Sequence, residues 1–308
     1  VEELIIIMQY FAFDDKKKDG LGAQMIRRFY LWGYCKLTDN VEYVHVPFIK
    51  CSHHIDDYEY GKRIENFFNL GYNEYNVSDI DTQFIQYKSM CRRGDTCVPR
   101  LFKNQPHHFN LVKDLYLEKF NKSIIHKSLN SHDNDYHNVV VHIRRGDLFR
   151  FHSRFKSRAN SDEFFLDAIN FVRSNTLNNV KNKPLKILIL TEDSRKIFDG
   201  RRNDEFANSL FSGDNSIDPL IRFRGLEDVE IRINQDAIQD LYYMFTADIL
   251  IKSNSSFSAI PSYFTNGLVI SSGGKNVQKI DDFHYTIEDK NPPQNLEYYL
   301  HSDFTQKK

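Results

Sequence analysis

The chain has 308 residues, a net charge of −1 and 41% hydrophobic residues, 14% of the total being aromatic. This is a globular composition long enough for two domains of ordinary size. The near-neutral charge excludes nucleic-acid binding through bulk electrostatics, so any positive potential has to be local. No apolar run approaches the length of a membrane span, and the opening run at 4–8 is too short for the core of a signal peptide. The four cysteines, Cys35, Cys51, Cys91 and Cys97, are too few for a disulfide scaffold. Cys91 and Cys97 bracket a short polar loop that an oxidising compartment could bridge, and their spacing is not that of a zinc site.

Strand and helix signals alternate along the chain. The apolar run at 4–9 reads as a first strand, and a charged loop at 14–19 leads to Gly20-Leu21-Gly22-Ala23-Gln24. Helical spacing follows over 23–37, a strand over 42–46, and helical signals over 60–70 and 109–127. Residues 128–137 are Ser, His, Asn and Asp with almost no apolar content, the best candidate for a linker. Beyond it the spacing predicts strands at 139–143, 185–190, 229–233, 249–252 and 268–271. Helices are predicted at 162–174, 236–247 and 256–266, and 296–300 has weak helical spacing. Strands separated by helices of this length imply parallel sheets. The expected organisation is α/β, with two facing Rossmann-like domains at 1–130 and 131–308 and the tail packing back on the first.

Four places carry candidate chemistry. Val139-Val140-Val141-His142-Ile143-Arg144-Arg145-Gly146-Asp147 is a buried strand that delivers a histidine, two guanidinium groups and a carboxylate to its carboxyl end. Arginine is the side chain best suited to grip a diphosphate through paired, planar hydrogen bonds. Alternation puts His142 and Arg144 on one face and Arg145 on the other; a structural Arg–Asp pair explains the motif equally well. Gly20 and Gly22 precede a helix, where a tight turn and a helix amino terminus favour an anion, although an ordinary turn looks the same. Ser253-Asn254-Ser255-Ser256-Phe257-Ser258 opens another helix, and its serines exceed what a cap needs, which favours a phosphate nest. Thr191-Glu192-Asp193-Ser194 and Asp240 place carboxylates where they can meet a ribose or base, or cap a helix. The tripeptide Arg93-Gly94-Asp95, the pairs His53-His54 and His107-His108, and the sequons at Asn76, Asn121 and Asn254 are weaker signals with ordinary loop explanations.

In order and spacing these segments resemble the fucosyltransferase superfamily, which includes α1,2- and α1,6-fucosyltransferases and protein O-fucosyltransferases. Gly20-Leu21-Gly22-Ala23-Gln24 is similar to its Gly-x-Gly-Asn/Ala-Gln loop, and His142-Ile143-Arg144-Arg145-Gly146-Asp147 to its His-x-Arg-Arg-x-Asp motif. Leu190-Thr191-Glu192-Asp193 resembles its strand-end Thr/Ser-Asp motif, and the span from Asp240 to Ser258 its carboxyl-terminal signature. The resemblance implies a GT-B fold with the acceptor on the first domain and the nucleotide on the second. It implies an inverting, metal-independent glycosyltransferase that moves fucose from GDP-fucose to a glycan or glycoprotein, with no cofactor. It places Arg144 on the β-phosphate, His142 and Asp240 on the guanosine, and Ser255, Ser256 and Phe257, with Gly20 and Gly22, around the donor.

The α1,6 enzymes carry a glutamate shortly after the arginine motif, where this chain has Phe149-Arg150-Phe151-His152. Asp147 and His152 are therefore the candidates for general base, and Asp147 has an alternative role in holding Arg144 or Arg145. Two other functions fit the same residues: a xylosyl or rhamnosyl transferase on this scaffold, and a non-catalytic glycan-binding or adhesion protein. Acceptor contacts are expected from the loops at 14–19, 50–60 and 90–105. The compartment stays open: Golgi or ER lumen if a leader or anchor precedes the chain, otherwise cytoplasmic.

Overall fold

The computed structural model describes residues 7–14, 20–48, 57–88, 106–145, 160–176, 183–192, 220–272 and 284–286. The chain divides into two compact units, Val1–Leu129 and Asn130–Lys308. Both are α/β with all-parallel sheets, as the alternation of strand and helix signals predicts. No helix among the described residues is long and apolar enough to cross a membrane.

In the first unit β1 (Gln9–Phe13), α1 (Leu21–Leu37), β2 (Val41–His45), α2 (Tyr58–Phe68), the short β3 (Tyr75–Asn76), β4 (Ile85–Lys88) and α3 (Pro106–Asn121) follow one another. The sheet order is β3-β2-β1-β4, with Tyr10 opposite Glu42 on one side and Ile85 on the other. The first strand lies later than the apolar run at 4–9 suggests. Ile7 and Met8 are 75% and 41% exposed, whereas Phe11, Ala12 and Phe13 are buried. Position between β2 and β4, rather than aliphatic content, decides which residues become strand. The helix expected over 109–127 stops at Asn121. The buried Ser123 donates its hydroxyl to the Asn66 carbonyl at 2.5 Å, and a 3₁₀ turn, Ile124–Ser128, follows. β3 and β4 are too short and too polar to show a period, and neither was predicted.

The first unit closes around a buried carboxylate. Glu74, in the turn before β3, accepts hydrogen bonds from Trp32 Nε1 (2.8 Å) and Lys36 Nζ (3.0 Å) of α1 and also from Lys119 Nζ of α3. Lys119 reaches the Leu70 carbonyl as well (3.0 Å) and lies 5.0 Å from the Trp32 ring. Burial pulls the Lys119 pKa down, against the charge of Glu74. Edge-on rings flank the cluster, with Phe29 and Tyr116 centroids 4.4 Å apart and Phe67 and Phe120 5.3 Å apart.

The second unit runs β5 (His137–Ile143), α4 (Asp162–Thr176), β6 (Leu185–Thr191), the single turn α5 (Ile221–Arg224), β7 (Val229–Ile233), α6 (Ala237–Thr246), β8 (Ile249–Lys252), α7 (Ser256–Phe264), β9 (Leu268–Ser271) and β10 (His284–Thr286). Its sheet order is β10-β9-β8-β5-β6-β7. Val139, Val141 and Ile143 share one core with Ile187 and Ile189 of β6, Ile249 and Ile251 of β8, and Phe165, Ile169 and Val172 of α4. Helix α6 packs on β5 and α7, and α7 packs on β8. A near-continuous apolar strand such as β5 is what burial on both faces requires. The polar stretch before β5 is tied to α6: Asn130 and Gln239 exchange two hydrogen bonds of 2.9 Å, and His132 Nε2 lies 2.8 Å from the Tyr243 carbonyl oxygen. Gly267 passes so close to the start of β8 that a Cβ there would stand 2.2 Å from the Ala247 carbonyl oxygen.

Removing the charge at Glu74 leaves Lys119 buried without its counter-ion. Glu74→Gln is expected to cost about 3–5 kcal/mol of stability, read as a shift in urea midpoint of the fluorescence of Trp32, the single tryptophan. A loss under about 1 kcal/mol would place the pair among weak surface ion pairs instead.

Candidate functional site

From β5 the chain steps outward through β6 to β7, then crosses back to β8 and steps outward the other way through β9 to β10. Strand order therefore reverses between the neighbours β5 and β8. In open parallel sheets the connections leaving two such strands diverge, and a crevice opens beyond their carboxyl ends. Two segments far apart in the sequence emerge here side by side. β5 delivers Arg144 and Arg145, and β8 delivers the serine loop and the amino terminus of α7. His142 pairs in register with Lys252, and the His142 Nδ1 ring nitrogen lies 2.9 Å from Ser253 Oγ.

His142 is buried, its ring 5.5 Å from that of Phe257. Burial, then the charges of Arg144 and Lys252, push its pKa down to about 3. It is thus a neutral imidazole at any physiological pH and contributes hydrogen bonds, not charge. Arg144 follows the strand and is half-buried. Arg145 is buried and turned into the fold: it pairs with Asp162 at the start of α4, donates to the Asn160 carbonyl at 2.9 Å and lies 5.8 Å from the Phe165 ring. Of the two arginines of the motif, Arg145 is thus taken up by the fold, and Arg144 is the half-buried residue that follows the strand. Asp147 and His152 lie outside the described residues, as do Asp193, Ser194, Cys91, Cys97 and Arg93-Gly94-Asp95.

The serine loop is less free than its composition suggests. Ser253 Oγ is taken up by His142. Ser255 is the cap of α7, accepting from the Phe257 amide at 3.2 Å, and the Ser258 hydroxyl turns back to the Ser253 carbonyl at 3.2 Å. Ser256 is half-buried in the first turn of α7. Amides of that first turn have no partner within the helix, and the helix dipole favours an anion there. The loop is held from outside by Asn160, which the sequence did not single out. Asn160 Oδ1 accepts from the Asn254 amide (2.9 Å), its Nδ2 donates to Ser272 Oγ (2.6 Å), and its carbonyl receives Arg145. One buried asparagine thus joins the ends of β5, β8 and β9. An isolated Asn carries no local pattern, so only the fold reveals this role.

Helix α6 starts at the same edge. Asp236 caps it, accepting from the Ile238 amide at 2.8 Å. Asp240, one turn later, faces inward: its Oδ1 is buried without a hydrogen-bond partner among the described residues. Burial and the nearby Asp236 charge raise its pKa to about 7, against the pull of Arg232. Thr191 closes the neighbouring strand end with a 2.8 Å bond from its hydroxyl to the Ile143 carbonyl, while Glu192 is exposed.

In the first unit Gly20 is the residue before α1, at φ −64° and ψ 158°. Any residue adopts that conformation, so the tight glycine turn expected from the sequence is not what Gly20 provides. Gly22 is buried in the first turn of the helix. The carboxyl end of β2 holds a polar group the sequence did not mark. His45 Nε2 lies 2.8 Å from Glu65 Oε1, and Glu65 Oε2 accepts from the Phe48 amide at 2.9 Å. Burial pushes the Glu65 pKa up, but the His45 hydrogen bond and charge more than offset it and hold it below the usual range. Cys35 is buried, and burial pushes its thiol up to about 12, which makes it unreactive.

No protein-family model matches the chain, and no curated protein sequence matches it. Among solved structures the chain is similar to NodZ alpha-1,6-fucosyltransferase soaked with GDP-fucose, at 12% identity and a TM-score of 0.42, over 86% of this chain and 95% of that one. It is also similar to E. coli heptosyltransferase WaaC with ADP-2-deoxy-2-fluoro heptose, at 10% identity and 0.39, over 91% and 92%. POFUT1 in complex with GDP matches at 11% identity and 0.27, over 86% and 74%. Likenesses this distant decide nothing about substrate.

The raised pKa of Asp240 has a consequence for stability. A carboxyl whose folded pKa lies above its unfolded value of 3.8 stabilises the fold fully below that value, and the contribution is lost as pH rises to about 7. Asp240→Asn, which does not ionise, should therefore gain in melting temperature relative to the unaltered chain as pH goes from about 4 to about 8. A constant difference across that range would mean that Asp240 titrates normally.

Proposed function

We propose that the crevice at the ends of β5 and β8 binds the diphosphate of a nucleotide sugar, and that the protein is a GT-B glycosyltransferase. The observation that carries this reading is that the end of β5, which leads into Arg144, lies beside the end of β8, which leads into α7, the two joined by the His142–Ser253 contact. Guanidinium and helix-end amides are what a departing diphosphate requires when no divalent ion neutralises it. The donor we propose is GDP-fucose, with the acceptor a glycan hydroxyl. His142 supports the nucleoside as a neutral ring. Asp240, once ionised, has a buried oxygen with which to accept N–H groups of guanine.

In the proposed reaction the acceptor oxygen attacks the anomeric carbon from the side opposite the diphosphate, so the configuration inverts. The bond from that carbon to the β-phosphate oxygen breaks with its electron pair left on GDP, and the acceptor proton passes to a base, for which Asp147 and His152 are the candidates. Charge grows on the diphosphate as the bond breaks, so Arg144 and the α7 amides stabilise the transition state more than the bound donor.

Fixed donors of this kind are each worth about 2.7–4 kcal/mol, so Arg144→Ala should lower kcat by about 10²–10³. Thermal shift with GDP, UDP and ADP tests the donor, since ligand binding raises apparent stability by mass action. GDP is expected to give the largest shift, and Asp240→Asn to reduce it. A shift with UDP and none with GDP would sink the fucose assignment. Full activity and nucleotide affinity in Arg144→Ala would sink the whole reading.

A further inference from the structure

The carboxyl end of the second sheet carries a row of polar residues on strands that are otherwise apolar. His142 of β5 pairs in register with Lys252 of β8, and Lys252 pairs with Ser271 of β9. Residues in register on parallel strands point to the same face, so the three side chains stand in line. All three are buried. His142 has Ser253 for a partner. The Ser271 hydroxyl has no hydrogen-bond partner among the described residues.

Lys252 is the anomaly in this row. It is 8% exposed, yet no hydrogen bond or ion pair with a described residue reaches it. Two other buried cations have carboxylate partners: Lys119 has Glu74, and Arg145 has Asp162. A buried ammonium without a counter-ion costs several kcal/mol, and a chain normally neutralises or removes it. Lys252 instead stands beside His142, whose pKa it helps to depress, and one residue before the loop that opens α7. Burial alone shifts its pKa, and no carboxylate among the described residues acts on it. An anion held at this strand end would supply the partner that no described residue gives it.

We propose that Lys252 is a phosphate-binding residue, whose ammonium joins Arg144 in holding the diphosphate of the nucleotide donor, with the Ser271 hydroxyl beside it. This deepens the function proposed above and rests on it. Two cations of different character then meet the leaving group. Arg144 is a planar fork that keeps its charge, whereas the ammonium of Lys252 is a point charge that shifts its pKa when buried. Burial pulls Lys252 down to about 8 in the unliganded protein.

The sign of the pH effect follows. Below about 8 Lys252 is charged and ready for phosphate; above it the free protein loses the proton, and binding has to restore it. Diphosphate affinity should therefore fall as pH rises past about 8, with uptake of about one proton per molecule bound at about pH 8.5. The groups facing Lys252 do not titrate there. His142 on β5 is neutral from about 3 upward, and Asp240 at the start of α6 is already ionised above about 7. The described residues of α7 and β9 carry no charge.

The test is isothermal titration calorimetry on the full chain with GDP, UDP and ADP and with the corresponding nucleosides. The unaltered chain and Lys252→Met are compared, each in two buffers of different ionisation enthalpy. The tightest nucleoside diphosphate is expected to bind Lys252→Met at least tenfold more weakly, with nucleoside affinity changed less than twofold and proton uptake abolished. The unliganded variant should melt higher than the unaltered chain, because an uncompensated buried charge has gone. Diphosphate affinity within twofold of the unaltered chain, or a lower melting temperature with nucleoside and diphosphate equally affected, would overturn the role of Lys252 and leave the glycosyltransferase reading standing. If the variant does not fold, absence of proton uptake by the unaltered chain at about pH 8.5 overturns it alone. Failure of the unaltered chain to bind any of the three diphosphates would overturn the proposed function itself.

Discussion

The pairing of β5 with β8 is the constraint on which the second unit depends. Val139 through His142 lie opposite Ile249 through Lys252, although the two strands are separated in sequence by two other strands and their helices. Parallel neighbours cannot be joined by a hairpin, and their connections have to leave over a face of the sheet. Between these two strands the connections part, the arrangement that in open parallel sheets leaves a crevice beyond the carboxyl ends. Most of the residues proposed for the site sit on the two chain segments that emerge there.

An edge of this kind is expensive to make polar, and the fold offsets the cost with specific bonds. The Arg145–Asp162 pair is anchored through the Asn160 carbonyl, and the Asn160 side chain holds the loop after β8 and the end of β9. Ser253 steadies His142, and Ser255 caps α7. A satisfied buried network rigidifies what it connects. What remains unsatisfied among the described residues is then informative: Ser271 Oγ and Asp240 Oδ1 are buried without a hydrogen-bond partner, and Lys252 is buried beside His142. The first unit follows the opposite policy at Glu74, where two lysines and an indole N–H complete one carboxylate.

Much of the architecture was legible in the order of residues. Buried central strands such as β5 and β8 show as unbroken β-branched and aliphatic runs, and the helices between them as a 3.6 period. The serine loop and the arginine motif were recognisable as polar punctuation at strand ends. Two strands of the first unit were harder to read. β3 is two residues long, and β1 lies on aromatic residues just past a more hydrophobic run whose last members, Ile7 and Met8, are exposed. Composition also misjudged the serines: three of the four hydroxyls are consumed by the loop's own geometry, which no count of serines could reveal.

The sequence by itself determined the class of fold, the position of a cationic strand end and the presence of a helix-opening serine loop, because each is written in local periodicity and residue type. Only the tertiary structure decided which arginine is taken up by the fold, that Asn160 ties three strand ends together, and that Lys252 lies buried beside His142 with no counter-ion among the described residues. These are relations between residues about a hundred positions apart. They are set by strand order and register, and local pattern carries no information about either.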